Sequence, residues 1–151
     1  MFSRAFIKEY FKEMKYIHEI FLDFLQSEDS ERSQLQKINK YFDEQNIRQN
    51  KSKLKLILHL ISKISNHYHR SSDSINKIEK ILKILKNDII SKFKNSHIFN
   101  IFKSNKRILL FLFEEKILIP NKYLSTILMK KEYKDRSYHQ YFYKEFEPFF
   151  D

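Results

Sequence analysis

Apolar residues recur every three or four positions along most of the chain. In the opening segment Ile7, Tyr10, Met14, Ile17, Phe21 and Phe24 fall on one stripe, the spacing of an amphipathic helix. Ser3 is placed to cap it. The polar run QSEDSERSQ interrupts the pattern. A weaker helix over about Ser33 to Asn46 turns Leu35, Ile38, Tyr41 or Phe42, and Gln45 inward, and NIRQNKS breaks it. A third helix, from about Ser52 to His69, carries Leu54, Ile57, Leu58, Ile61, Ile64 and Tyr68 on one side. Leu56 and Leu60 widen that stripe, so burial on more than one side is expected. RSSDS follows, with Ser72 or Asp73 as the cap of a fourth helix. Its Ile75, Ile78, Leu82, Leu85 and Ile89 alternate three and four apart, like a short coiled-coil seam. About two heptads are too few for a free zipper and suit packing inside a bundle.

The stretch HIFNIFKSNKRILLFLFEEKILIP is the most apolar part. Six apolar side chains in a row, Ile108 to Phe113, are far short of the ~18 that a membrane span needs. Period alone does not separate a buried strand from a buried helix here. Helix is predicted because good helix formers flank the run, because Ser104 or Asn105 offers a cap, and because no segment with period-two alternation exists for a strand to pair with. Leu109 and Leu112 are expected to be buried, with Lys106 and Glu115 near the ends of that helix. Pro120 is expected to end the element. NKYLSTILMKKEY reads as another short helix, and the aromatic tail SYHQYFYKEFEPFFD as a docked helix or irregular flap. The expected fold is all-α: an antiparallel bundle or solenoid-like array of five to seven helices, without a sheet. Residues 1–151 form one helical domain in this reading, with a sub-boundary near 95–104.

Composition narrows the chemistry. The 151 residues contain no cysteine and no glycine. Without cysteine there is no disulfide, no thiolate nucleophile and no zinc–thiolate site, and a reducing compartment is the default: cytoplasmic first, nuclear as the alternative. Average glycine usage is about 7%, so its absence removes phosphate-cradling loops, GxGxxG turns and GxSxG elbows. Tight turns with positive φ are left to Asn or Asp. The N-terminal segment has no uninterrupted apolar region of a signal peptide, and no membrane span is expected.

The formal net charge is +10, which taken alone favours polyanionic partners. The abundance of Lys, Asn, Ile, Phe and Tyr also follows from A/T-rich codons, so charge by itself counts for little. Lys77, Lys80, Lys83 and Lys86 recur every three residues on the outer side of the fourth helix and could follow phosphates. They equally suit the polar face of an amphipathic helix. The aromatic residues fall on inner stripes and not beside these lysines, as stacking on bases would require. His67 and His69 lie two apart on a helix and point about 200° apart, so one metal cannot take both while the helix continues. His18, His59, His97 and His139 stand singly. Glu114 and Glu115 are adjacent and do not face each other as an acid–base pair would. Glu145 and Glu147 read as a solvated face. The NKS triplet at Asn50 has no meaning without a secretory signal. No catalytic, cofactor-binding or metal-binding residues are expected.

The segments KIEKILKILKNDI, IFNIFKSNKRILLFLFEEKILIPNKYL and YHQYFYKEFEPFF together resemble the N-terminal helical region of a large ankyrin-repeat protein family of parasitic protists, of the trichomonad type. The resemblance covers roughly Ser62 to Asp151, and the stretch from Ile98 to Leu112 is its most specific part. It implies a non-catalytic interaction or scaffold module that precedes, and caps, an ankyrin-repeat array. The array would follow residue 151, since no TPLHxA-like motif occurs before it. The implied partner is a protein or the downstream repeats. The candidate contact residues are Tyr138, Tyr141, Phe142, Tyr143, Phe146, Phe149 and Phe150, because a single helix cannot bury rings on every side. A basic nucleic-acid-binding domain using Lys77, Lys80, Lys83 and Lys86 is the alternative.

Overall fold

The computed structural model describes residues 4–27, 31–128 and 144–150. Among them there are seven α-helices and a closing 3-10 turn, and no strand. The fold class is all-α, as the periodicity requires. The chain divides into two compact units, residues 1–92 and 93–151. The division falls just ahead of the sub-boundary expected near 95–104.

The first unit holds α1 (Arg4–Gln26), α2 (Glu31–Glu44), α3 (Lys51–His67) and α4 (Ser72–Lys92). α1 and α4 pack on each other, and each also packs on α2 and on α3. Ile17, Phe21 and Phe24 of α1 are buried. Ser3 and the side chains of Ile7, Tyr10 and Met14 lie outside the described residues. From α2 both Tyr41 and Phe42 are buried, while Leu35 and Gln45 are half-buried. The α3 stripe of Leu54, Ile57, Leu58, Ile61 and Ile64 is buried as expected, and Leu60 with it. Ser65 is also inside, and its hydroxyl donates to the Ile61 carbonyl at 2.6 Å. On α4 the seam Ile75, Ile78, Leu82, Leu85 and Ile89 is closed to solvent, together with Ile81.

The helix ends explain how a chain without glycine turns. Asn50 caps α3, its side-chain oxygen accepting from the Lys53 N–H at 3.1 Å. Asn105 does the same for Ile108 at 3.1 Å, and Asn121 for Leu124 at 2.8 Å. α4 is capped by Ser71, whose hydroxyl accepts from the Ser74 N–H. The cap is therefore one residue before Ser72 and two before Asp73, because Ser72 already has helical geometry.

Two helices end in the same six-to-one motif. After α2, Ile47 N–H donates to Phe42 C=O at 3.0 Å and Asn46 N–H to Asp43 C=O at 3.2 Å. After α6 (Lys106–Glu114), Ile117 donates to Leu112 at 2.8 Å and Lys116 to Phe113 at 3.1 Å. These are Schellman motifs. The left-handed residues are Asn46 (φ 53°) and Lys116 (φ 60°). Asn is the expected choice for that conformation, and Lys is not. The α6 helix therefore ends at Glu114, just before the left-handed Lys116, and not at Pro120. The apolar pairs Phe42–Ile47 and Leu112–Ile117 are buried, and that burial supplies the free energy that holds a Cβ-bearing residue in the left-handed region.

In the second unit the apolar stretch resolves into α5 (Asn95–Phe102) and α6, which pack on each other, followed by α7 (Lys122–Leu128). Leu109 and Leu112 have no solvent exposure, and Lys106 and Glu115 stand at the helix ends. Leu110 and Phe111 are half-buried, so α6 is apolar all round but fully enclosed on one side only. Asn95 holds the chain after α6 in place: its amide donates to the Ile119 carbonyl at 2.6 Å and its oxygen accepts from the Ile119 N–H at 2.9 Å.

Candidate functional site

The aromatic end of the chain is built on α6. Phe113 projects from the last turn of that helix and gathers three phenylalanines from the final residues. Phe149 stacks on it with ring centres 5.3 Å apart and planes at 23°. Phe146 and Phe150 meet it edge-on, each at 5.6 Å. Both geometries are favourable for ring quadrupoles. Glu145 completes the attachment through an ion pair with Lys106 at 2.7 Å. Helical turns over residues 144–149 place these side chains together, with Pro148 inside the closing 3-10 turn (Glu147–Phe149).

Three phenylalanines of the expected contact set are thus described, and they divide. Phe146 has no exposed surface; it is a core residue of the second unit, since Phe113 covers it. Phe149 and Phe150 are half-buried, Phe149 stacked on Phe113 and Phe150 edge-on to it. Tyr138, Tyr141, Phe142 and Tyr143 lie outside the described residues. Near the start of α7, Ile119 and Tyr123 are 61% and 53% exposed. Nothing in the sequence marks these two positions, since Ile119 lies in the most apolar stretch and Tyr123 just beyond it.

The lysines of α4 have separate tasks. Lys77 reaches the end of α1, donating to the carbonyls of Phe24 at 3.0 Å, Leu25 at 3.4 Å and Ser27 at 3.2 Å. Its ammonium also lies 5.4 Å from the Phe24 ring centre. Lys80 pairs with Glu31 of α2. Lys83 is exposed and Lys86 half-buried. The four do not form one free row: a step of three residues rotates about 60° per lysine around the helix, and the first two are bound to neighbouring helices. The shallow groove beside Lys80, floored by Leu35 and Ile84, is rimmed by the Lys80–Glu31 pair.

Arg48 ties the loop after α2 to α4. It donates to the Asn39 side-chain oxygen and lies 3.8 Å from both Asp43 and Asp88. His67 and His69 stay exposed, His69 facing the Asn66 carbonyl at 2.9 Å. Among the described residues no group of three His, Asp or Glu side chains could hold a metal ion, and no helix is long and apolar enough to cross a membrane. No protein-family model, curated protein or solved structure matches the chain.

Proposed function

We propose that this chain is a helical protein-interaction module without catalytic chemistry, of the kind that precedes an ankyrin-repeat array in the protist family its central segments resemble. One observation carries the reading: Phe149 and Phe150 both pack on Phe113, yet each stays only half-buried. Half-covered aromatic rings on a rigid support are the usual anchors of a protein interface, and they have the same need for cover as the last turn of a helical stack. Ile119 and Tyr123 add apolar surface in the same unit. The occupant in this reading is the first helical pair of a downstream repeat array. The nucleic-acid alternative is weaker because Lys77 and Lys80 are already engaged within the fold.

Sedimentation at matched concentrations tests it, comparing the 151-residue chain, a form extended downstream in its reading frame, and the Phe149→Ser/Phe150→Ser variant of the shorter chain. Self-association of the short form is expected, relieved both by the extension and by the two substitutions. A short form that sediments as a monomer and is indifferent to both changes overturns the reading. So does a downstream frame without ankyrin motifs, as far as the family is concerned.

A further inference from the structure

A different surface carries a second interaction. From Gln45 to Ser72 the sequence contains no acidic residue, while Arg48, Lys51, Lys53, Lys55, Lys63 and Arg70 supply six positive charges out of a net +10. Codon bias does not produce this. The other helices of the same unit draw on the same codons, yet each carries acids beside its bases: α1 four basic and four acidic residues, α2 three of each, α4 five and three. α3 has four lysines and no acid.

The fold decides where that charge goes. Arg48 is held by Asp43 and Asp88, and Lys53 donates to the Gln45 carbonyl at 3.3 Å. Lys51, Lys55, His59, Lys63 and His67 are all exposed. Four residues apart, they follow an i, i+4 line that turns about 40° per step and so winds obliquely across the solvent side of α3. Neither Lys55 nor Lys63 forms an ion pair with a described residue. The row is a ladder of cationic and imidazole groups about 6 Å apart along the helix axis.

We infer that the solvent face of α3 is a docking strip for an acidic helix of a partner protein, one that presents carboxylates four residues apart. Spacing selects this partner. A helix bearing Glu or Asp at every fourth position offers one carboxylate per about 6 Å along a line with the same inclination to its axis, so the two lines can run side by side where the helices cross. The row lacks arginine forks and exposed aromatic rings, which bind phosphate bidentately and stack on bases. Lys55 already pushes the pKa of His59 down, second to the partial burial of the ring. A carboxylate brought opposite His59 would act in the reverse direction.

The probe is an alanine-rich helical peptide with Glu at four successive i, i+4 positions, titrated into the isotope-labelled 151-residue chain at low ionic strength. The same peptide with Gln for Glu, and a random-sequence DNA duplex, serve as the other arms. Chemical shifts along Lys51, Lys55, His59 and Lys63 are expected to move with the Glu peptide and not with the Gln peptide, and the His59 titration midpoint to rise in the complex. Lys55→Glu/Lys63→Glu, both at exposed positions, should weaken binding at least tenfold while leaving the helical circular dichroism unchanged. The Phe149→Ser/Phe150→Ser variant should bind as the parent does, which separates this surface from the aromatic end. Shifts elsewhere than α3, equal binding by the charge-reversed variant, or a DNA duplex bound more tightly than the Glu peptide would each overturn the inference.

Discussion

The Lys77 ammonium lies 3.0 Å from the carbonyl oxygen of Phe24, 53 residues earlier in the chain. With Leu25 and Ser27 it takes up three carbonyls at the end of α1, a segment with no basic residue in its own last turn. All three ammonium protons have a partner, and the positive charge sits at the negative end of the helix dipole. Lys77→Met keeps the aliphatic stem and removes the donors. It should cost about 1–2 kcal/mol, since bonds from a charged donor are worth more than neutral ones but water partly replaces them at a half-buried site. Urea denaturation reads this as a lower midpoint, against less than ~0.5 kcal/mol for a change on the outer surface such as Lys83→Met.

Leu112 combines two roles. It has no exposed surface, and its carbonyl accepts from both Ile117 and Leu118 at 2.8 and 3.0 Å. Leu112→Ala leaves the backbone bonds but opens a cavity beneath them, and should cost about 2–5 kcal/mol. A chemical melt with an unchanged midpoint would show that the site collapses without loss.

Lys116 holds φ at 60°, where a Cβ costs roughly 1–2 kcal/mol. Lys116→Gly removes that strain, offset by about 0.5–1 kcal/mol of extra chain entropy. The expected result is stabilisation by about 0.5–1 kcal/mol. Lys116→Val should destabilise, because branching at Cβ worsens the same clash. Paired guanidinium melts of the two variants, moving in opposite directions, test the motif.

His59 makes stability depend on pH in one direction. Its pKa in the fold is lowered from the usual 6.5, first by partial burial of the ring and then by the charge of Lys55. The unfolded chain therefore holds the proton more tightly, and protonation favours unfolding. The contribution is most favourable above pH 6.5 and declines as the pH falls through 6.5 toward the folded-state value. The residue is exposed, so solvent screening keeps the effect small. Nuclear magnetic resonance titration should place its midpoint below that of a free histidine, and His59→Gln should flatten the corresponding part of the stability–pH curve.

The sequence by itself determined the helices, their buried stripes and some of their caps. Each of those depends on residues within about four positions: Ile75, Ile78, Leu82, Leu85 and Ile89 share a face whatever they pack against, and Asn105 reaches the Ile108 N–H of its own first turn. The tertiary structure decided which side chains are enclosed in the fold and which stand at its surface. Lys77 sits at the same three-residue spacing as Lys83, and only the place where α1 ends, 50 residues away, makes one a cap and leaves the other outside. Phe146, Phe149 and Phe150 belong to one aromatic run and all meet Phe113, and only the tertiary structure separates a core ring from two half-buried ones. The left-handed turn at Lys116 was hidden for the same reason: its strain is offset by burial of Ile117 and Leu112, a packing term that no local preference contains. The acid-free segment from Gln45 to Ser72 is plain in the chain, but its charge becomes a surface only because α1 and α4 cover the opposite side of α3.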